Sequence, residues 1–331
     1  LDAAKAQDIQ RLRQLVDENA DLDIKDEQGY TALSWVIRSR TRNIECARLL
    51  INGKADIERE DRDGRTALSL AVFYDNPECV RLLINSKANL DKRCGNGLNP
   101  LSWAVIYNKN ECAQLLIDAK ADLDAHNADG NTALIWALRY GQIECARVLI
   151  SAKADITIPN SDGITPLTIA SMVGDTAYAQ QLIDAKADVD AKDKNGFTTL
   201  ILVAGNGNTD YVRLLIDAKA DLEIKDSAGR TALLLAAARG QTECVRLLID
   251  AKADFDAKDE EGNTPLMWAT SGASVGSIQL LVDAKADLNA KNNDGRTALI
   301  WAVYLGLNSS FDALVNAKAD VEARDNDGNT A

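Results

Sequence analysis

The chain has 331 residues and an acidic composition, with 50 Asp and Glu against 37 Lys and Arg and a net charge of −13. This excess of negative charge is a poor match for nucleic acid and for anionic lipid, because both need clustered positive charge. No stretch of the sequence approaches the ~18–20 consecutive apolar residues of a membrane span. The single histidine, His126, excludes His-rich metal sites, and any Ser-His or Cys-His nucleophile would have to use it.

A repeated glycine organises the whole chain. It recurs in short segments such as QGYTAL, DGRTAL and EGNTPL, once after 35 residues and then eight times after 33 residues. A fixed period of this length is the signature of tandem structural repeats. The two extra residues of the first interval fall in RSRTRN at 38–43, which we expect to connect two helices. The glycines that set the frame are Gly29, Gly64, Gly97, Gly130, Gly163, Gly196, Gly229, Gly262, Gly295 and Gly328.

The unit 229–261 shows how one repeat is expected to fold. Its opening DSAGR predicts a turn in which glycine supplies a positive φ, and Thr231 then suits a helix N-cap. The apolar run ALLLAAA at 232–238 predicts a first helix, and a second helix is expected from Thr242. Neither helix can bury its apolar face alone, so neighbouring repeats must complete the core. The buried stripe of the second helix consists of Cys244, Leu247 and Leu248.

The repeat resembles the ankyrin repeat in its length, in its D-x-x-G-x-T-P-L opening and in a second helix that ends close to L-L-x-x-G-A-D. The resemblance covers the entire chain. It implies an all-α solenoid of stacked helix-turn-helix units with β-hairpin-like finger loops, in which fingers and first helices line a concave face. We therefore expect one solenoid over 1–331, with a partial repeat at 1–28, nine full repeats at 29–327 and the start of a further repeat at 328–331.

Two positions depart from the family pattern. The histidine of the family's first helix is replaced, so its bond to threonine is absent and we expect the first helices to be less firmly anchored. The glycine after the second helix is replaced by lysine, which costs ~1 kcal/mol if the backbone stays left-handed. These lysines are either consensus residues that pair locally with a nearby acid or a strip for an anionic partner. They are Lys54, Lys87, Lys120, Lys153, Lys186, Lys219, Lys252, Lys285 and Lys318.

Cysteine, tryptophan and histidine are the residues that could carry chemistry. Five cysteines share one position of the repeat, where neighbours would lie ~10 Å apart, too far for a disulfide. We expect them in the core, and only Cys94 to be exposed. The tryptophans share a second position that we also assign to the core, and His126 falls in a finger. We therefore predict no catalytic residue, no metal site and no cofactor. The tryptophans are Trp35, Trp103, Trp136, Trp268 and Trp301.

The positions that vary between repeats are the informative ones, because duplication would otherwise make them alike. They are the residue after the frame glycine and the end of the first helix, where the resemblance places partner contacts. Exposed aromatic and apolar side chains there would mark an interaction site. The alternative is that they merely cover the turn between helices. The candidate contact residues are Phe73, Tyr74, Leu98, Ile106, Tyr107, Arg139, Tyr140, Ile164, Met172 and Phe197.

These features predict a non-catalytic scaffold that binds a protein or an extended peptide on its concave face. The net charge of −13 favours a partner with basic residues. We expect a cytoplasmic monomer with reduced cysteines and with neither nucleic acid nor membrane as partner. An alternative is that the chain, which we interpret as a fragment, is the targeting arm of a larger enzyme, channel or effector. A third and weaker alternative is a mechanical spacer.

Overall fold

The structure, a computed structural model, describes residues 1–39 and 43–331. These residues form two compact units, unit 1 at Leu1–Ser161 and unit 2 at Asp162–Ala331. The described part of each unit contains ten helices and no β-strand, which confirms the predicted all-α class of stacked helix pairs. Residues 40–42 of the predicted connection at 38–43 lie outside the described residues.

The helices alternate between the first and the second helix of each repeat. Unit 1 contains α1 (Asp2–Ala6), α2 (Ile9–Asp17), α3 (Ala32–Arg38), α4 (Ile44–Asn52), α5 (Ala67–Phe73), α6 (Pro77–Asn85), α7 (Pro100–Ile106), α8 (Asn110–Asp118), α9 (Ala133–Arg139) and α10 (Ile143–Ser151). Unit 2 contains α11 (Pro166–Val173), α12 (Thr176–Asp184), α13 (Thr199–Asn206), α14 (Thr209–Asp217), α15 (Ala232–Ala238), α16 (Thr242–Asp250), α17 (Pro265–Ser271), α18 (Val275–Asp283), α19 (Ala298–Tyr304) and α20 (Asn308–Asn316).

Each first helix from α3 onward starts at a side-chain cap. The Thr231 hydroxyl accepts the backbone N–H of Leu234 at 3.4 Å, as the sequence predicts, and α15 and α16 have the predicted starts. Asn99 caps α7 in the same way, and Pro100 follows at the first helical position, where its missing N–H costs no hydrogen bond. The capping residues are Thr31, Thr66, Asn99, Thr132, Thr165, Thr198, Thr231, Thr264 and Thr297.

The core of each unit consists of leucines and small residues that repeat with the helix pairs. Within unit 1, α3 packs on α5 and α5 on α7, and in unit 2, α13 packs on α15 and α15 on α17. The side chains at the family's histidine position join this core, because Ile135 and Leu234 are fully buried. Where that residue is Ser34 or Ser69, its hydroxyl lies 3.2 to 3.4 Å from the threonine that caps the same helix. The core leucines of the second helices are Leu50, Leu83, Leu116, Leu149, Leu182, Leu215, Leu248, Leu281 and Leu314.

Several fingers are turns closed by an acidic side chain and tied to their neighbours through the backbone. In one of them, the Asp61 amide donates to the Arg65 carbonyl at 3.0 Å. The Asp61 carboxylate accepts the backbone N–H groups of Asp63 and Arg65, both at 2.9 Å. The next bond joins two repeats, because the Arg62 amide donates to the Gln28 carbonyl of the preceding finger at 3.3 Å.

The frame glycine is required by space as well as by conformation. Gly64 has a φ of +74°, and an added Cβ there would lie 2.9 Å from the backbone nitrogen of Gly95 in the next finger. At Gly130 the corresponding distance, to the backbone nitrogen of Ser161, is 2.6 Å. At these two positions any other residue would therefore push neighbouring fingers apart, and the positive φ favours glycine at the other frame positions as well.

The nine lysines after the second helices have left-handed backbones, with φ between 65° and 74°. All nine are exposed, and in the described residues we find no ion pair between them and a carboxylate, so the local pairing suggested by the sequence does not form. Acidic side chains near these lysines accept backbone amides instead. Asp23 accepts the amide of Asp56 from the next repeat at 2.8 Å, and Asp56 accepts that of Glu58 at 2.9 Å.

Replacing one of these lysines with glycine should stabilise the protein. We expect Lys120→Gly to raise the free energy of unfolding by about 0.5–1 kcal/mol, because glycine has no steric penalty at φ +69°. Lys120→Ala is the matched control, since it removes the same charge and keeps the Cβ. The measurement is urea denaturation followed by circular dichroism. Equal gains in both variants would show that the lysine charge, and not its backbone conformation, causes the effect.

Candidate interaction surface

Unit 1 has a cluster of aromatic rings where its first helices end, which we call the aromatic face. Two of its tyrosines are well exposed, Tyr107 at 46% and Tyr140 at 52% of their surface. Each occupies the C-cap of a first helix, α7 or α9, so its side chain lies at the turn between the two helices of a repeat. The face consists of Phe73, Tyr74, Trp103, Tyr107, Trp136 and Tyr140.

Tryptophans one helical turn earlier hold the two exposed tyrosines in place. The Trp103 and Tyr107 rings stack with 5.2 Å between centroids and 13° between planes. The Trp136 and Tyr140 rings stack with 5.6 Å between centroids and 10° between planes. The tryptophans were expected in the core, yet only Trp103 is buried in the described structure, and the other four are half-buried. Their i, i+4 spacing from the tyrosines makes them the supporting layer of this surface.

Phe73 joins the aromatic residues of neighbouring repeats. Its ring meets Trp103 and Tyr107 edge to face, with both centroids 5.5 Å away, and it meets Tyr74 of its own repeat at 5.1 Å. Edge-to-face pairs of this kind contribute ~0.5–1.5 kcal/mol beyond the area they bury. The face is therefore a packed and preorganised surface.

Arginines lie over several rings of unit 1. The Arg38 guanidinium is 3.9 Å from the ring centroid of Tyr30 and 4.8 Å from that of Trp35. Arg139 lies 5.5 Å from Trp136. Arg65 lies 6.0 Å from Phe73 and borders a surface cavity of about 720 Å³. This surface of unit 1 thus combines aromatic rings with guanidinium groups, the two side-chain types most enriched at binding hot spots.

The structure places the other sequence-predicted contact residues unevenly. Leu98 is buried, with 9% of its surface exposed, and Ile106 is half-buried. The last three predicted residues belong to unit 2, where Met172 is 59% exposed and Ile164 and Phe197 are half-buried. Seven of the ten predicted residues therefore lie in unit 1, and three in unit 2.

Sequence reasoning missed an exposed aromatic group in unit 2. Tyr304 is 67% exposed, lies edge to face with Trp301 at 6.3 Å and has the Arg296 guanidinium 4.7 Å from its ring. Tyr304 occupies the same position of its repeat as Phe73, nine residues after the frame glycine. The sequence signal is the aromatic residue itself, which stands alone in unit 2 because the three preceding repeats have Gly205, Ala238 and Ser271 at this position.

Comparison with known proteins assigns the repeats. A family model described as "Ankyrin repeats (3 copies)" matches residues 1–94, 86–160, 167–259, 201–292 and 252–325. The chain belongs to the ankyrin repeat family. A solved structure titled "Crystal structure of the ankyrin repeat domain of Bcl-3: a unique member of the IkappaB protein family" is 32% identical, with a TM-score of 0.62, and the match covers 66% of this chain and 99% of that one. A search of curated proteins found no match.

Ankyrin repeats are generally protein-protein interaction modules, and their fold is typically a non-catalytic scaffold. The same fold matches 582 chains of solved structures, so it does not by itself identify a partner. Among the described residues, no group of three or more His, Cys, Asp or Glu side chains is placed to hold a metal ion. No helix there is long and apolar enough to cross a bilayer.

The cysteines lie in the ankyrin core, and four of them, Cys46, Cys94, Cys112 and Cys145, contact a polar atom of the preceding repeat. All six are buried and none is in a disulfide. Cys94, which was expected to be exposed, is buried because its thiol packs 3.4 Å from the Ser69 hydroxyl of the preceding repeat. Tyr211 occupies the repeat position of the other five cysteines and donates its hydroxyl to the Ala170 carbonyl at 2.7 Å. The same position is therefore filled by Cys46, Cys79, Cys112, Cys145, Tyr178, Tyr211, Cys244, Ser277 and Ser310.

Tryptophan indoles distinguish two kinds of ankyrin finger. Trp268 donates to the Asp259 carboxylate at 2.8 Å, and Trp35 donates to Asp26 at 2.7 Å. Burial raises the pKa of Asp26, but the hydrogen bonds from the Tyr30 amide and the Trp35 indole outweigh this effect. The pKa of Asp26 therefore lies below its ordinary value. Where the finger has Asn instead of Asp, the indole nitrogen is buried with no hydrogen-bond partner in the described residues. These indoles belong to Trp136 and Trp301.

This difference predicts unequal costs for the same substitution in neighbouring repeats. Trp268→Phe should lower the free energy of unfolding by about 1 kcal/mol more than Trp301→Phe, because only Trp268 gives up a hydrogen bond to a carboxylate. The two rings have similar exposure, so Trp301→Phe controls for the lost indole area. Guanidinium denaturation of both variants provides the measurement. Equal losses would mean that the bond to Asp259 contributes nothing net.

The buried thiols should react slowly in the folded protein. Burial, together with Asp75, raises the pKa of Cys112 to about 12. Burial together with Glu144 or Glu243 raises the pKa of Cys145 and of Cys244 to about 11. At about pH 8, Ellman's reagent should therefore modify the native chain at least about 100-fold more slowly than the chain in guanidinium. All six cysteines should react in guanidinium. A fast-reacting thiol in the native chain would contradict this.

Proposed function

We propose that the chain is a non-catalytic scaffold that binds a protein or an extended peptide, with the aromatic face of unit 1 as its principal contact. Tyr107 and Tyr140 are the central anchors. The observation that carries this proposal is that two half-exposed tyrosine rings are stacked on tryptophans that are themselves packed against the repeat.

The stacking makes these tyrosines efficient anchors. A tyrosine that only covered the helix turn would lie against it with most of its ring buried, whereas Tyr107 and Tyr140 expose 46% and 52% of their surface. Because stacking already fixes the rings, binding loses little side-chain entropy. Burying exposed ring area then contributes ~25 cal/mol per Å².

The remaining candidate residues extend this surface. Phe73, Tyr74, Ile106 and Arg139 flank the two anchors in unit 1, and Leu98, which is buried, is a candidate contact of the same unit. In unit 2, Ile164, Met172 and Phe197 form a second set of candidate contacts, which we propose separately. We also propose that the protein acts as a cytoplasmic monomer, without cofactor, nucleic acid or membrane as partner.

The partner's charge depends on the unit concerned. Unit 1 has 24 acidic and 21 basic residues, a net charge of −3, whereas unit 2 has 26 and 16, a net charge of −10. The attraction of basic partners expected from the total charge therefore belongs mainly to unit 2, since exposed charges are screened over ~10 Å.

The anchors can be tested by a double substitution. Tyr107→Ala/Tyr140→Ala should reduce partner capture at least about tenfold, because truncating a hot-spot aromatic residue costs about 2 kcal/mol or more. The measurement is quantitative affinity capture with wild-type and variant baits, followed by mass spectrometry. Partners that the wild-type chain enriches and the variant does not are those bound by the aromatic face.

The matched control is Tyr304→Ala, which removes the most exposed tyrosine of unit 2. Capture by this control should remain at the wild-type level, and circular dichroism should show that both variants keep the wild-type helix content. Unchanged recovery of every partner by the folded double variant would overturn the assignment of the site.

A further inference from the structure

Arg38 stacks on aromatic rings of unit 1 and has no carboxylate partner among the residues that the structure describes. Its guanidinium lies over Tyr30 and Trp35 and reaches the edge of the aromatic face, 5.8 Å from the ring centroid of Tyr74. Its Nη1 atom is buried and finds no hydrogen-bond partner in the described residues. The following residues 40–42, which lie outside them, are Arg-Thr-Arg and contain no carboxylate. The side chain as a whole is half-buried, and a partly buried cation without a counter-ion costs more than a solvated one, so the accessible part of this guanidinium favours an anion at the surface.

Arg139 is a second arginine that lies over an aromatic ring and has no carboxylate partner among the described residues. It lies over Trp136, beside Tyr140, and is exposed. No carboxylate of the described residues lies within ion-pair distance of it. Arg139 and Arg38 occupy the same place in their repeats, nine residues after the frame glycine. Both therefore lie at the end of a first helix, next to the candidate contact residues.

Other arginines that lie over rings are already neutralised. Arg65 pairs with Asp61 at 2.8 Å, Arg230 with Asp226 at 2.8 Å, and Arg296 approaches Asp294 at 3.6 Å. These three follow the frame glycine directly, so the acids of their own fingers reach them. Arg38 and Arg139 come eight residues later in the repeat, where we find no such acid in the described structure. The difference follows from their position in the repeat.

A guanidinium that stacks on a ring keeps its N–H donors free at its edge. That edge matches the two oxygens of a carboxylate, and the aromatic surface excludes part of the water that would weaken the pair. Arg38 and Arg139 lie three repeats apart, which is ~27 Å at ~9 Å per stacked helix. An extended peptide covers this distance with about eight residues at ~3.3 Å each.

We propose that the aromatic face of unit 1 binds an acidic extended peptide segment of a partner protein. Asp or Glu side chains near its two ends pair with Arg38 and Arg139, and apolar side chains between them pack on Tyr107 and Tyr140. The inference rests on the proposed function and specifies the partner at the same surface. It departs from the basic partner that the total charge of −13 suggests, because unit 1 carries only −3 of that charge.

The acidic-peptide proposal can be tested by selecting binders from a random peptide library displayed on phage. The full chain serves as bait, and only peptides that Tyr107→Ala/Tyr140→Ala fails to retain are scored. We expect these peptides to be net acidic, with Asp or Glu flanking an apolar centre. Their affinity, measured with synthetic copies by fluorescence anisotropy, should fall at least about tenfold in Arg38→Gln/Arg139→Gln and should weaken with added salt.

Two control variants make the result specific. Arg139→Lys keeps the charge and loses the planar fork, so it should bind less tightly than wild type and more tightly than Arg139→Gln. Arg239→Gln removes an arginine of unit 2 that donates to Asn206 at 2.9 Å, and it should change nothing. Circular dichroism of each variant shows whether the helices remain intact.

The remaining outcomes separate the two proposals. If the tyrosine-dependent peptides are net basic, or if the folded Arg38→Gln/Arg139→Gln variant binds the acidic ones with unchanged affinity, the acidic partner is wrong and the aromatic face still binds peptides. If the library yields no tyrosine-dependent peptide at all, the proposed function of this face fails, and the acidic partner fails with it.

Discussion

The close approach of neighbouring fingers is the constraint on which the rest of the structure depends. At Gly64 and Gly130 the backbone of the next finger lies within 2.9 Å of the place where a Cβ would be. No residue but glycine fits, and a finger that cannot shift fixes its repeat against the next one. Each repeat therefore repeats the register of its neighbour, so residues 33 positions apart lie next to each other within a unit.

Because of this register, side chains at the same variable position of successive repeats lie side by side and form a continuous surface. The tyrosines at 107 and 140 are one repeat apart, and each stacks on the tryptophan one helical turn before it. Phe73 of the preceding repeat fits against the first of these pairs because the same stacking brings it there. A rigid aromatic surface thus follows from ordinary helix spacing within a repeat combined with fixed spacing between repeats.

Local sequence signals predicted much of this. The N-cap at Thr231 and the bounds of α15 each depend on a few adjacent residues, which the sequence shows directly. The errors concern contacts between repeats or across a repeat. Cys94 is buried by Ser69 of the preceding repeat, and the pairing of Trp268 with Asp259 spans nine residues. Such contacts depend on the geometry of the stack, which composition and periodicity do not contain.

The total net charge and the positions of the individual charges favour different partners. Several acidic side chains accept hydrogen bonds from the chain's own backbone. Asp61 closes its finger in this way, and Asp23 accepts the amide of Asp56 in the next repeat. Such acids add to the total of −13 and are already engaged by the chain's own amides. Arg38 and Arg139 are the opposite case, because they add little to the total and have no carboxylate of their own in the described structure. The aromatic face and its edge therefore combine aromatic rings with two guanidinium groups that lie over rings.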